Sequence, residues 1–117
     1  MALSRELSVS VVVVGRNNFD LTSKSVKSVL THTGKDVEII LVDNGSESGV
    51  LENLIDQFRN TRVSILPVGA NRSFGEASNI GAESATGGIL VFLNNNVLVT
   101  ENWLEPLVHE LQANPNV

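Results

Sequence analysis

With 117 residues, 42% hydrophobic and 18% charged, the chain has the composition of an ordinary globular domain, enough for one core and too short for two. It contains no cysteine, which excludes disulfides and thiolate metal sites and permits a reducing compartment. The net charge of −5 argues against bulk nucleic-acid binding, which needs clustered lysine and arginine to displace counterions.

The first residues lack a secretory layout, because Arg5 and Glu6 interrupt them before any apolar stretch develops. No apolar run approaches the roughly 20 residues that cross a bilayer. A cytoplasmic protein without direct membrane insertion is expected, with any membrane contact peripheral and supplied by other parts of a full-length protein. Val9–Val14 then reads as a first strand. Val26, Val29 and Leu30 mark a helix after Asp20, with Gly34 as its stop. Val37–Val42 is a second strand. Val50, Leu51, Leu54, Ile55 and Phe58 form one apolar helical stripe behind a Ser48 cap. Val63–Val68 is a third strand, and Ser73 with Glu76 has capping-box spacing before Ala77, Ile80 and Gly81. Ile89–Leu93 is a fourth strand. Leu104, Leu107, Val108 and Leu111 follow on a helix that Pro106 bars from starting before about Trp103. Asn114-Pro115-Asn116-Val117 resembles a turn leading into a further strand, and a natural C-terminus is the alternative.

Four apolar runs alternating with helical patterns predict an α/β fold: a Rossmann-like open parallel sheet of alternating β-α units. The runs are nearly continuous, as in strands buried on both faces. Helices are expected on both sides of the sheet, with ligands at the carboxyl ends of the strands. Polar residues gather there: Gly15-Arg16-Asn17-Asn18, Asp43-Asn44-Gly45-Ser46, Asn71, and Asn94-Asn95-Asn96.

These segments, in this order, resemble the family 2 glycosyltransferases. Residues 9–18 are similar to the family's opening strand, and Val42-Asp43-Asn44-Gly45-Ser46 to its second-strand motif. Asn71-Arg72-Ser73-Phe74-Gly75 and Ser78-Asn79-Ile80-Gly81 resemble its "N-x-G-F" and "N-x-G" segments. Asn94-Asn95-Asn96 sits where an acidic metal-binding motif ends the family's fourth strand, and Asn102-Trp103-Leu104 matches the "x-W-L" after it. The resemblance implies the front half of a GT-A fold, a single domain over residues 1–117 that binds a nucleotide-diphosphate sugar. It also implies transfer of a hexose-type sugar to an acceptor hydroxyl with inversion. The acceptor site and catalytic base of the family lie in a back half, so no catalytic residue is expected in this chain.

The candidate nucleotide-sugar-binding residues are Gly15, Arg16, Asn17, Asp43, Asn44, Gly75, Asn79, Asn94 and Asn95. Asp43, at a strand end, is suited to accept hydrogen bonds from a base or ribose, or to cap the turn at Gly45 and Ser46. The resemblance places a second, base-contacting aspartate at Asn44 in many relatives, and an amide there opens thymidine or guanosine donors beside uridine. Gly15 permits close backbone approach; Asn17 can bond the nucleoside or hold its loop. Arg16 suits a phosphate, and a solvated surface arginine is the alternative. Gly75 and the amides opening its helix can receive a diphosphate, unless Ser73–Glu76 is only a cap. By resemblance Asn79 is an inward polar residue, and Ser78 replaces an arginine found in many relatives.

By resemblance, a divalent metal (manganese or magnesium) would be held by an aspartate at the position of Asn96. Asparagine offers a carbonyl oxygen without charge, whereas such cations favour carboxylates. Two unit charges in contact interact by about 4 kcal/mol at an effective dielectric of about 20, so metal binding at Asn96 is expected to be weak or lost. Three asparagines also suit a loop needing left-handed backbone. His32 and His109 lie on helices away from the strand ends, and no Gly-x-Gly-x-x-Gly follows the first strand, which counts against a dinucleotide-binding dehydrogenase. A noncatalytic α/β interaction module that kept the fold is the second reading. If further strands are missing, the fourth strand is an open edge, and homo-oligomers through it are expected.

Overall fold

The computed structural model describes residues 8–113, so the readings placed on Arg5, Glu6 and Asn114–Val117 lie outside the described residues. The elements run β1 (Val9–Gly15), α1 (Phe19–His32), β2 (Glu38–Asp43), α2 (Val50–Gln57), β3 (Val63–Pro67), α3 (Phe74–Ser84), β4 (Ile89–Asn94) and α4 (Glu105–Ala113). The strands form one parallel sheet in the order β3-β2-β1-β4. This is the α/β architecture expected from the alternating apolar runs. No helix of the described residues is long and apolar enough to cross a membrane.

Alternate residues of β1 serve two cores. Val9, Val11 and Val13 face Val26 and Val29 of α1, Leu54 of α2 and Leu104 just before α4. Val12 and Val14 face Ala77 of α3, together with Ile40 and Val42 of β2. Helices thus cover both faces, three on one and α3 alone on the other. All of β1 is buried, and all of β2 except partly exposed Glu38. The expectation of burial on both faces fails for β3 and β4, the sheet edges: both mix half-buried and exposed residues, in strict alternation in β4. In β4, Ile89, Val91 and Leu93 pack on the three-helix face, while Leu90 and Phe92 are exposed on the other. The apolar run alone could not reveal that α3 stops short of β4.

Local chemistry sets the helix starts. Asn18 caps α1 from a left-handed conformation, its Oδ1 accepting from the Leu21 amide, so the helix begins just before Asp20. The cap of α2 is Gly49 rather than Ser48, because the backbone there has φ 96°, a conformation glycine adopts freely. Glu52 accepts a hydrogen bond from the Gly49 amide. The Ser73–Glu76 capping box forms as its spacing predicts, with the Glu76 amide donating to Ser73 Oγ at 3.1 Å. Pro106 falls in the first turn of α4, where its missing N–H breaks no helical bond.

Three side chains pin the connections. Arg62 donates from Nη2 to the Thr33 carbonyl (2.8 Å) and from Nη1 to those of Val37 (3.0 Å) and Gly34, closing the α1–β2 turn. Trp103 Nε1 donates to Thr33 Oγ1 at 3.0 Å, fastening the approach to α4 onto the end of α1. Glu38 Oε1 accepts from the Ser10 hydroxyl (2.7 Å) and the Thr86 amide (2.9 Å), joining β1, β2 and the α3–β4 turn. Burial works against the charged form of Glu38, but hydrogen bonds from Ser10 and from the amide and hydroxyl of Thr86 outweigh it and hold the carboxyl below its ordinary pKa.

Candidate functional site

The sequence of strand placement creates the site. The chain steps from β1 through β2 to β3 on one side, then returns to lay β4 on the other side of β1. The carboxyl ends of β1 and β4 thus lie side by side with that of β2, and the carboxyl ends of the strands are the usual ligand position in such sheets. A cleft of about 180 Å³ lies there, lined by Val14, Gly15, Arg16, Asn44, Phe74, Asn94 and Asn95. Five of the candidate residues meet at this cleft. A larger cavity of about 490 Å³ lies between α4 and the α1–β2 turn, near Val9 at the opposite end of β1, and none of the candidate residues reaches it.

Hydrogen bonds lock the loops around the cleft to one another. Asp43 is 3% exposed; its Oδ1 accepts the Ser46 hydroxyl at 2.5 Å and its Oδ2 the Ser46 amide at 3.3 Å. The turn-capping role of Asp43 is thus present, and each carboxylate oxygen retains accepting capacity. Ser46 Oγ in turn accepts the Asn17 amide at 2.7 Å, and Asn17 Oδ1 accepts the Glu47 amide at 2.7 Å. Asn17, at φ 56°, therefore holds the loop after β1 to the loop after β2. Asn44 is committed in the same way: its Oδ1 accepts from the Arg72 amide (2.9 Å) and its Nδ2 donates to the Arg72 carbonyl (2.8 Å). The partner loop comes so close that a Cβ on Gly45, whose φ is +75°, would sit 2.6 Å from the Ala70 carbonyl carbon.

On the β4 side, Asn95 Nδ2 donates to Thr22 Oγ1 at 2.9 Å, and the Thr22 hydroxyl is within 3.4 Å of the Asn17 carbonyl. Gly15 makes room for this: a Cβ there would meet Thr22 Oγ1 at 3.0 Å and Asn95 Cβ at 3.1 Å. Close backbone approach at Gly15 thus serves the protein's own Asn95. Arg16 is exposed at the rim. Gly75 has open space where a Cβ would point, in the first turn of α3, whose leading amides lack helical acceptors.

Two side chains sit differently from the sequence-based expectation. Asn79 is exposed rather than inward, and Ser78 is the buried residue, because Ala77, Ser78 and Gly81 form the face of α3 against β1 and β2. Gly81 sets that contact, since a Cβ there would lie 2.5 Å from Val12 Cγ1. Phe74 lines the cleft and was absent from the candidate set; its signal was a large apolar residue at a helix start next to a capping serine.

The residues at the end of β4 do not fit a firmly held divalent metal. Asn94 Oδ1 accepts from the Asn95 amide at 2.7 Å, Asn95 Nδ2 is engaged with Thr22, and Asn96 brings no charge. Asp43, the carboxylate at the end of β2, is buried and turned onto Ser46. Among the described residues, no group of three or more His, Asp or Glu side chains gathers to hold a metal ion. Hard cations favour several oxygen ligands with carboxylates among them.

The family model of Glycosyl transferase family 2 matches residues 10–117. This chain belongs to that family. It is 30% identical over 122 aligned residues to N-acetylgalactosaminyltransferase 4 of Drosophila melanogaster, covering 98% of this chain and 19% of that protein. It is 32% identical to the inactive polypeptide N-acetylgalactosaminyltransferase-like protein 5 of Macaca fascicularis, covering 94% of this chain and 26% of that protein. The chain therefore spans about a fifth to a quarter of these relatives. In structure it superposes on S. aureus TarS, solved in complex with UDP, with a TM-score of 0.77 at 17% identity over 91% of this chain and 32% of that one. The sheet order and alternating β-α units are those of the GT-A glycosyltransferase fold.

Proposed function

We propose that this chain is the nucleotide-sugar-binding portion of an inverting glycosyltransferase that moves a hexose-type sugar from a nucleoside-diphosphate donor to an acceptor hydroxyl. The observation that carries this reading is the cleft at the carboxyl ends of β1 and β4, where five candidate residues meet, among them Asn44, the chain neighbour of Asp43. Family membership and the UDP complex of TarS support it. In this reading the remaining lone pairs of Asp43, fixed in direction by Ser46, accept from the nucleoside. Arg16 and the leading amides of α3 face the diphosphate. Inversion is a single displacement: the acceptor oxygen bonds to the anomeric carbon as the bond to the diphosphate breaks, and the acceptor proton passes to a base. That base and the acceptor site belong to parts of a longer polypeptide. No step is routed through a metal, because the donor set at Asn94–Asn96 does not fit one.

Calorimetric titration with UDP, TDP and GDP, each with and without manganese, tests the reading. Binding of at least one below millimolar concentration is expected; absence of binding by all three overturns it. A second reading, a noncatalytic module on the same fold, is favoured by the uncharged Asn94-Asn95-Asn96 and by the Macaca relative named as inactive. Asn96→Asp separates the two. Manganese-dependent gain of nucleotide binding marks a donor site that has lost its metal charge, and no gain favours the module.

A further inference from the structure

Phe74 is the apolar residue of the cleft that lies outside both hydrophobic cores. It is 47% exposed, although it opens the helix whose Ala77 and Gly81 pack on the sheet. A single exposed phenylalanine on a surface ordinarily needs no account. This one forms part of the lining of the cleft, beside Val14, Gly15 and Arg16.

Its support is unusually rigid for a loop–helix junction. Two residues before it, the Arg72 peptide is gripped at both amide and carbonyl by Asn44. One residue before it, Ser73 caps α3 in a reciprocal pair with Glu76. The ring is thus carried on a backbone fixed from both sides, with little ordering left to lose on binding. The other groups lining the cleft are largely polar or backbone, so Phe74 is its one aromatic surface. The cleft, at about 180 Å³, is smaller than the roughly 300–1,000 Å³ of sites that enclose whole drug-sized ligands. A cleft of that size has room for about one ring system.

We infer that Phe74 is the stacking platform of the donor site, taking the face of the nucleobase against its ring. The inference rests on the donor-site reading and adds to it the group that discriminates a nucleotide from a bare diphosphate. Stacking is tolerant of base identity because every base presents a π-face, so Phe74 supplies affinity and leaves the choice of base to polar groups.

The test compares UDP and inorganic pyrophosphate on the wild-type chain, Phe74→Ala and Phe74→Leu. Phe74→Ala is expected to weaken UDP binding by about tenfold, the scale of base–aromatic stacking lost on truncation. Phe74→Leu, which keeps apolar volume without a ring, falls between, and pyrophosphate binding is unchanged in both. In NMR spectra the uracil H5 and H6 resonances of bound UDP shift upfield on the wild-type chain and not on Phe74→Leu. Far-UV circular dichroism and thermal unfolding of both variants match the wild type, as expected for an exposed side chain. Equal UDP affinity in the wild type and both variants, or no ring-current shift on the wild type, overturns the platform and leaves the donor site standing. If TDP or GDP binds in place of UDP, the same comparison is made with that nucleotide, and failure of the wild-type chain to bind any of the three overturns both.

Discussion

The side-chain amide of Asn44 spends both its polar atoms on one peptide group, accepting from the Arg72 amide and donating to the Arg72 carbonyl. Truncation leaves two backbone groups without that partner, although exposed Arg72 lets water replace part of the loss. Asn44→Ala is expected to destabilise the fold by about 1–3 kcal/mol, toward the lower end, measured by denaturant unfolding. Ser46 acts at the same scale on ligand binding, because its hydroxyl and amide orient the two oxygens of Asp43. Ser46→Ala should weaken UDP binding by roughly three- to tenfold, the scale of one net hydrogen bond, and unchanged affinity would detach Asp43 from the donor site. Residue types at the strand ends were legible in the sequence, but their partners were not. Asn17 and Asn44 reach across 30 and 28 residues to backbone groups, and nothing in a linear pattern shows which amide will face a ligand and which a neighbouring loop.

At the scale of elements, periodicity located the four strands and four helices of the described residues, because burial against a sheet leaves a strong apolar signature. It misjudged the edges, since an apolar run looks alike whether one face is covered or two. Contacts between elements supply two further predictions. Gly81 brings α3 against β1 and β2, and a methyl group there would come within 2.5 Å of Val12 and 2.9 Å of Val42. Overpacking costs about 1–3 kcal/mol, which outweighs the gain of up to about 1 kcal/mol in helix propensity. Gly81→Ala is therefore expected to lower the unfolding midpoint despite being a better helix former. The second concerns Glu38, which joins β2 to β1 and to the α3–β4 turn. Its carboxyl titrates lower in the folded chain than the ordinary value of 4.5, so at acidic pH the unfolded chain binds more protons. The stabilisation is complete above that ordinary value and disappears as pH falls through the folded one. Glu38→Gln should flatten the fall in stability as pH drops below the ordinary value of 4.5, as read from unfolding curves at each pH. A loss identical in wild type and variant would remove Glu38 as the cause.

For the molecule as a whole, β4 is the exposed flank. Among the described residues it pairs only with β1, so its other edge presents free backbone groups. Edge strands are usually protected by a charge, a proline or a bulge, and β4 has neither charge nor proline: from Ser84 to Thr100 the sequence contains no charged residue. Leu90 and Phe92 are 37% and 41% exposed on the face that α3 leaves bare, which adds apolar surface beside the open edge. Antiparallel pairing of β4 with its own copy across a two-fold axis would satisfy both edges and bring these side chains of the two protomers onto one surface. The expected outcome for the 117-residue chain is concentration-dependent association in light scattering. Phe92→Lys places a charge on the bare face beside that edge without touching the three-helix core, and should shift the equilibrium toward monomer while preserving the circular dichroism spectrum. A wild-type chain that stays monomeric at high concentration would show that twist or side-chain entropy protects the edge despite its composition.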